Sequence, residues 1–180
     1  EEIEAVTLID VLRRAGAEVV VAAVGGLQIS ASRGVRLVAD IPIDDCLGRD
    51  FDLIALPGGM PGAEHLRDSP ALLRLLQRQK ARGAAYAAIC AAPAVVLAPH
   101  GLLEGRRATS HPAFTGGLPD ASAAGNRVVV DGPVVTSRGV GTALEFALTL
   151  VALLFGEERA QAVAAPMVLP AGVAWAGAAP

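Results

Sequence analysis

The stretch that decides the fold reads Ala84-Ala85-Tyr86-Ala87-Ala88-Ile89-Cys90-Ala91-Ala92-Pro93-Ala94-Val95-Val96-Leu97-Ala98. Its first six residues form a short apolar run that predicts a buried strand, and residues 91–98 predict a helix. Cys90 therefore lies on a sharp turn from strand to helix. A side chain on such a turn is exposed at the end of the strand, and it meets the positive end of the helix that follows.

A second strand ends in the same manner upstream of this turn. Residues 51–56 predict a buried strand that ends at Pro57-Gly58-Gly59, and Ser69-Pro70 opens a helix that runs to about Ala81 and stops near Gly83. Repeated strand-then-helix units predict an α/β fold with a doubly wound, mostly parallel sheet and helices on both faces. Binding sites in such sheets lie beyond the carboxyl ends of the strands, where Cys90 and the glycine pair are both expected.

The rest of the chain extends this pattern. Helices are predicted over residues 3–15, ending at Gly16, and over residues 142–155, ending at Gly156. Asp131-Gly132 predicts a hairpin turn between residues 127–130 and 134–136. Further predictions are strands over residues 18–24, 35–43 and 107–110, a helical turn at Asp44-Asp45, and a loose tail rich in Ala, Gly and Pro over residues 170–180. We therefore expect one domain over residues 1–169.

Composition narrows the class of protein. With 180 residues, 53% hydrophobic and 18% charged, the chain can bury a real core and is not disordered. Its formal net charge is −3 and its basic residues form no block, which argues against a nucleic-acid partner. No apolar run approaches the ~18–20 residues of a membrane span. Two cysteines make no disulfide framework and indicate a reducing compartment, the cytoplasm or an organelle, and neither a metal site nor a cofactor is expected.

Cys90 has two interpretations on pattern alone. The helix that follows it stabilises a thiolate and lowers the pKa of the thiol, and the small neighbours Ala88, Ala91 and Ala92 allow other groups to approach. A free cysteine is equally often a small hydrophobic packing residue. The other cysteine, Cys46, follows two aspartates that would raise its pKa, so it is interpreted as non-catalytic.

Three further features carry possible chemistry, each with a structural alternative. The amides of Gly58 and Gly59 could hold an oxyanion, although a tight turn is the commoner use of a glycine pair. Glu4 lies in the first turn of the first helix, where acidic residues are usually solvated and favoured by the helix dipole. His111 precedes Pro112 and is more often structural at such a position, but near Cys90 it could act as an acid or a base.

Taken together in order, these segments resemble the DJ-1/PfpI family, and most of all its DJ-1 branch. The motifs that carry the resemblance run in family order across residues 1–169. They are Glu1-Glu2-Ile3-Glu4, Val11-Leu12-Arg13-Arg14-Ala15-Gly16, Leu56-Pro57-Gly58-Gly59, Ala87-Ala88-Ile89-Cys90-Ala91-Ala92-Pro93, Thr109-Ser110-His111-Pro112, and Thr136-Ser137-Arg138-Gly139-Val140-Gly141-Thr142. Each motif is weak alone, and the ordered set is a strong signal.

The resemblance implies a flavodoxin-like sandwich of the class I glutamine amidotransferase type, which forms a homodimer. It assigns Cys90 as the reactive cysteine and Glu4 as the protonated acid that hydrogen-bonds it and depresses its pKa. It places the oxyanion site at Gly58, Gly59 and Ala91, and His111 nearby in a role that is not settled. It also places Arg14 and Arg33 near the thiol as electrostatic support, with Arg14 reaching across the dimer.

The activity that the resemblance implies is a glyoxalase that needs neither glutathione nor metal and converts methylglyoxal to lactate. Deglycation of proteins that carry the same adducts is the related alternative. A redox-sensing thiol protein or chaperone without turnover uses the same residues, and a cysteine peptidase of the PfpI type fits less well. The resemblance also implies an interior strand before Glu1, which this sequence lacks, and it is loose over residues 112–126.

Overall fold

The computed structural model describes residues 1–175, and its centre is a four-stranded sheet. Strands β5 (Leu53–Leu56), β6 (Ala85–Ile89), β7 (Val128–Asp131) and β8 (Val134–Ser137) lie in the order β5-β6-β8-β7. The first three strands in that order are parallel, and β7 pairs antiparallel with β8 through the hairpin predicted at Asp131-Gly132. The mostly parallel α/β sheet predicted from the sequence is confirmed.

Helices cover both faces of this sheet, because β6 is apolar on both sides. One core holds Ala87 and Ile89 against helices α1 (Glu2–Arg14), α4 (Ala143–Phe155) and α5 (Glu157–Ala164). The other holds Tyr86 and Ala88 against α2 (Gly62–Arg67), α3 (Pro70–Arg82) and the segment after Cys90. Side chains of a strand alternate between faces, so a strand that is apolar at every position needs cover on both.

The predicted helix boundaries agree closely with the structure. The Ser69 hydroxyl accepts the Leu72 amide and Gly83 ends α3 with φ +66°, while Gly16 follows α1 with φ +90°. Both glycines adopt the left-handed conformation that side chains disfavour. Among residues 1–175, no helix is long and apolar enough to cross a membrane.

The chain between α1 and β5 forms two small ladders in place of two long strands. Strands β1 (Ala22–Ala23) and β4 (Ile41–Pro42) pair in parallel, and β2 (Gln28–Ser30) and β3 (Arg36–Val38) form an antiparallel hairpin. The strand predicted over 18–24 is shorter than expected, because the Val21 amide donates its hydrogen bond to the Asp40 carboxylate at 2.8 Å. The predicted strand over 35–43 is split, and its end leads into a short 3-10 turn, Ile43–Cys46, at the predicted aspartates.

Two other predictions are wrong in detail. Residues 107–110 form no strand, because the Thr109 amide donates to the Thr136 hydroxyl at 2.9 Å and not to a backbone ladder. The helix expected over 91–98 is a wide π turn, Pro93–Leu97, followed by a 3-10 turn, Ala98–His100.

Part of the predicted loose tail contacts the rest of the domain. The Trp175 indole donates to Glu157 at 2.9 Å and packs on the core. Residues 176–180 lie outside the described part of the chain.

Candidate active site

The site lies at the carboxyl edge of the sheet, where β5, β6 and β8 end together. Leu56 is in register with Ala88, and Ile89 with Ser137, so the residues after each strand meet at one place. Cys90 follows β6 with φ +66°, an uncommon conformation for a residue with a side chain. Such strain persists only where the surroundings fix it.

Three hydrogen bonds fix the backbone of Cys90. Its amide donates to the Ser137 carbonyl at 3.0 Å, and its carbonyl accepts the His111 amide at 2.7 Å and the Ser110 hydroxyl at 2.6 Å. Sequence reasoning did not single out Ser110 or Ser137. Both residues stand inside motifs that carry the family resemblance, which was the available signal for them.

Gly58 lets the end of β5 lie directly against the Cys90 turn. A Cβ atom at Gly58 would stand 2.6 Å from the Cys90 Cβ and 2.7 Å from the Ile89 carbonyl oxygen. These separations are shorter than any ordinary contact. The Cys90 Cβ, and the Ala91 amide nitrogen at 2.9 Å, belong to the strained turn itself. Glycine is therefore required here for close approach, and not only for the turn that the sequence suggested.

Glu4 is fully buried beside the thiol, although the sequence placed it in a helix turn that is usually solvated. Its Oε2 accepts the Gly58 amide at 2.8 Å, while its buried Oε1 accepts no hydrogen bond and the carboxyl group interacts with the Cys90 thiol. Burial raises the pKa of Glu4 above the ordinary value of 4.5. This raised pKa favours the protonated acid, which can donate to sulfur.

The pKa of Cys90 depends on which of the two groups carries the proton. Burial, followed by the charge of an ionised Glu4, raises the pKa of the Cys90 thiol to about 11, and the amides of Gly59 and Ala91 act in the lowering direction. The lowered pKa expected from the sequence is therefore wrong while Glu4 is ionised. When Glu4 holds the proton, its charge is absent and its hydroxyl donates to a thiolate, which lowers the pKa of the thiol.

The backbone amides near the sulfur differ from the expected set of three. The amides of Gly59 and Ala91 interact with the Cys90 sulfur, and Gly59 reaches this position with φ +84°. The amide of Gly58 is taken by Glu4 and is not available to an oxyanion. Two donors, Gly59 and Ala91, thus converge where negative charge would develop on sulfur or on a bound oxygen.

His111 is attached to the Cys90 turn through its backbone, and its ring is held from two sides. The ring Nδ1 accepts the Ala113 amide at 3.2 Å, and the ring meets Phe114 edge-on with 6.0 Å between centroids. The side chain is exposed to solvent. In the described part of the chain, the hydrogen bond recorded for this imidazole goes to Ala113 and not to the thiol.

Within one copy of the chain, Arg14 and Arg33 make contacts away from the thiol. The exposed guanidinium of Arg14 pairs with Asp10 at 2.6 Å, and that of Arg33 donates to the Ser32 carbonyl at 3.2 Å. The Arg33 amide donates to the buried Glu2 carboxylate at 2.8 Å, which ties its loop to the start of α1. Electrostatic support of the thiol by these two arginines stays a prediction.

The chain is similar to known proteins both in sequence and in structure. The sequence profile of the DJ-1/PfpI family matches residues 1–153. Protein DJ-1 homolog B of Arabidopsis thaliana is 51% identical over 160 residues, which cover 88% of this chain but 36% of the relative, so the chain spans about a third of that relative's length. The glutathione-independent glyoxalase DJR-1.2 of Caenorhabditis elegans is 37% identical, with 94% of this chain and 90% of that protein covered.

A solved structure agrees with this assignment. The structure described as Toxoplasma gondii DJ-1, oxidized, superimposes with a TM-score of 0.90 at 50% identity, and 93% of this chain and 92% of that chain are covered. The profile match, the identities and the shared fold all point to one group of proteins. This chain belongs to the DJ-1/PfpI family.

Proposed function

We propose that this protein is a cysteine-dependent glyoxalase that converts methylglyoxal to lactate without glutathione. The observation that carries the proposal is the convergence of three groups on the sulfur of Cys90. Cys90 stands on a strained turn, a buried Glu4 with a raised pKa lies beside it, and the amides of Gly59 and Ala91 interact with it. The name of the Caenorhabditis elegans relative supports this activity.

The first step uses the thiolate as the nucleophile. The sulfur of Cys90 adds to the aldehyde carbon, a C–S bond forms, and the carbonyl electron pair moves to oxygen. The Gly59 and Ala91 amides stabilise this developing oxyanion, which takes a proton to give a hemithioacetal. Glu4 is the acid that can supply the proton, and it then becomes a carboxylate next to the adduct.

The remaining steps move two protons within the adduct and add one water. Ionised Glu4 removes the proton from the former aldehyde carbon and returns it to the neighbouring carbon, while the hydroxyl proton of the hemithioacetal moves to the neighbouring oxygen, so the hemithioacetal becomes a thioester of lactate. Water hydrolyses the thioester, which releases lactate and restores the thiol. The sequence of steps is redox-neutral overall. Removal of free methylglyoxal also reverses early adducts on proteins, so deglycation of glycated protein is the related activity.

The test follows methylglyoxal loss and lactate formation in the absence of glutathione. The wild-type chain is compared with Cys90→Ser and with Cys46→Ala, a matched control that removes the other cysteine. We expect turnover to vanish in the Cys90 variant and to persist in the Cys46 variant. Activity that survives Cys90→Ser, or a wild type that forms a stable adduct only, would rule out this mechanism.

The second candidate is a redox sensor or chaperone that does not turn over a substrate. The strained Cys90 thiol is partly accessible, and an oxidised sulfur at this turn would be held by the same two amides. The Toxoplasma gondii structure is described as oxidized, which supports this alternative. Glu4→Asp separates the two functions. It should abolish turnover if Glu4 moves the proton, whereas peroxide oxidation of Cys90 should only change in rate.

We also propose that two copies pair through α1 and the β2–β3 hairpin. Ile3 and Val6 on α1 are 55% and 45% exposed, and Val35 and Val38 at the hairpin are 47% and 70% exposed. Exposed apolar side chains are characteristic of a protein–protein interface where they form one patch. Sedimentation of the wild type should give a dimer and Val38→Asp should give a monomer. A monomeric wild type at high concentration would exclude the pairing, and with it a role for Arg14 across the interface.

A further inference from the structure

The imidazole of His111 has one nitrogen committed within the protein. His111 is the residue before the 3-10 turn Pro112–Gly117, and its Nδ1 accepts the Ala113 amide at 3.2 Å. A neutral imidazole has one donor nitrogen and one acceptor nitrogen. Because a backbone N–H can only donate, this contact requires the lone pair of Nδ1. The proton of the neutral ring is therefore carried by Nε2.

The position of the ring is fixed as firmly as its tautomer. The His111 amide donates to the Cys90 carbonyl at 2.7 Å, and its own carbonyl accepts the Phe114 amide at 2.8 Å. The Phe114 ring meets the imidazole at an angle of 62°, and a Cβ built on Gly139 would lie 3.6 Å from the ring Cδ2. The ring thus stays next to the Cys90 turn with its Nδ1 edge closed by the Ala113 amide.

The proton chemistry of the thiol is assigned to another residue. Glu4 is the titratable group that interacts with the Cys90 sulfur, whereas His111 directs its one recorded ring hydrogen bond to Ala113. Among residues 1–175, Nε2 of His111 makes no recorded hydrogen bond and the side chain is exposed. Because the backbone amide of His111 is bonded to the Cys90 turn, an exposed ring N–H without a protein partner is suited to bind an oxygen of whatever the nucleophile attacks.

We propose that His111 is a neutral hydrogen-bond donor, through Nε2–H, to an oxygen of the ligand bound at Cys90, and that the Ala113 amide is the positioning group that fixes this tautomer. His111 then contributes neither as the base for the thiol nor as the group that moves the carbon-bound proton. The ligand class is a small carbonyl compound that carries a second oxygen beside the attacked carbon. The inference rests on the proposed function for the ligand, but not for the tautomer.

The tautomer is tested without any ligand. The ring ¹³C and ¹⁵N chemical shifts of His111, measured by NMR at alkaline pH, distinguish the two neutral forms. We expect the Nε2–H form in the wild type and in Ala113→Gly, which keeps the amide. Ala113→Pro removes the N–H at an exposed first-turn position where proline is tolerated, and we expect a mixture of the two forms. An Nδ1–H wild type, or a proline variant with unchanged shifts, overturns the proposal.

The role toward the ligand is tested on the hemithioacetal itself, so that turnover is not required. Methylglyoxal is titrated against Cys90 in His111→Gln, which keeps an N–H donor but cannot act as a base, and in His111→Phe, which has neither property. We expect the adduct constant of the Phe variant to fall about 3- to 10-fold below that of the wild type, the loss of one neutral hydrogen bond. The Gln variant should recover most of that loss.

The two proposals fail in different ways. If the Gln and Phe variants weaken the adduct equally, the donor role is wrong, whatever the protein turns over. If the adduct constants follow the expected order but no lactate forms, the glyoxalase proposal fails and the donor role stands. Since His111 is on the surface, unfolding of either variant is unexpected, and a thermal melt of each checks this directly.

Discussion

The chain has two cysteines whose surroundings differ in the features that matter for chemistry. Cys46 ends a regular 3-10 turn and is 3% exposed, whereas Cys90 occupies a left-handed turn and is partly exposed. Burial raises the pKa of both thiols. The distinguishing feature is therefore not burial but the groups within reach: two amides and a protonatable Glu4 at Cys90, and Arg49 with Asp45 at Cys46.

The difference between these two thiols is that Cys90 has a neighbour that can change its own charge. At Cys46 the charge of Arg49 lowers the pKa of the thiol and the charge of Asp45 raises it, and the effect of burial exceeds both. At Cys90 the neighbouring carboxyl is itself buried, and its raised pKa allows it to be neutral. A single proton shared by Glu4 and Cys90 can sit on oxygen, which leaves sulfur as the nucleophile.

The largest effect is expected from filling the space between β5 and the Cys90 turn. Gly58→Ala places a Cβ 2.6 Å from the Cys90 Cβ and 2.9 Å from the Ala91 amide nitrogen, so the turn must move. We expect a loss of at least about 100-fold in the alkylation rate of Cys90, and destabilisation of about 1–3 kcal/mol from overpacking.

Gly48→Ala is the matched control in the Cys46 region. A Cβ at Gly48 would meet no atom within 4 Å. Iodoacetamide kinetics and thermal unfolding of both variants measure the contrast. A Gly58 variant that reacts and melts like the Gly48 variant would show that the close approach is not needed.

The second effect is the difference in reactivity between the two thiols of the folded chain. Iodoacetamide should modify Cys90 faster than Cys46 by a factor on the order of 100 or more, because Cys46 reacts only when its region opens. Peptide mass spectrometry after timed quenching assigns each site. In denaturant the two rates should converge. Comparable rates in the native protein would contradict the contrast drawn between the regions.

The third effect is on the ionisation of Cys90 when the carboxyl is replaced. With Glu4 ionised, the pKa of the Cys90 thiol is about 11, and the Glu4 charge is one of the two largest causes of that rise. Glu4→Gln removes the charge and keeps the shape. We expect thiolate absorbance to show the alkaline step at a pH lower by at least about one unit.

A Cys46→Ala background removes the second thiol from this titration. The same substitution in both the wild-type and the Glu4→Gln chain leaves Cys90 as the only cysteine. If the alkaline step of the Gln variant stays near 11, then burial alone controls the thiol, and the shared-proton account of this site is refuted.

The sequence predicted the architecture well because local patterns determine it. The apolar run of β6, the Ser69-Pro70 start of α3 and the glycines that end the helices each specify their element locally, and the structure has them. The sequence predicted the strands poorly where a side chain, and not a neighbouring strand, accepts a hydrogen bond from a backbone amide. The Asp40 carboxylate accepts the Val21 amide and the Thr136 hydroxyl accepts the Thr109 amide, and no local pattern signals either bond.

The same limit applies to the candidate site. The positions of Cys90 and the glycine pair follow from strand ends, but the burial of Glu4 does not, because it depends on α1 packing under the end of β5. The hydrogen bonds from the Gly58 amide to Glu4 and from the Ala113 amide to His111 likewise depend on the folded geometry and not on a local pattern. Resemblance supplied the residue types, and geometry supplied the bonding partners.

The smallest effect is the pH dependence of stability that Glu4 produces. Its folded pKa lies above the ordinary 4.5 because of burial, so the folded state holds this proton more tightly than the unfolded state. The stability that Glu4 contributes is therefore complete below pH 4.5 and is lost as the pH rises through its folded pKa, at no more than about 1.4 kcal/mol per pH unit. Glu4→Gln has no proton to lose. Chemical denaturation from pH 4 upward should show the wild type losing stability relative to the Gln variant, and parallel curves would mean that Glu4 ionises as easily in the fold as in the unfolded chain.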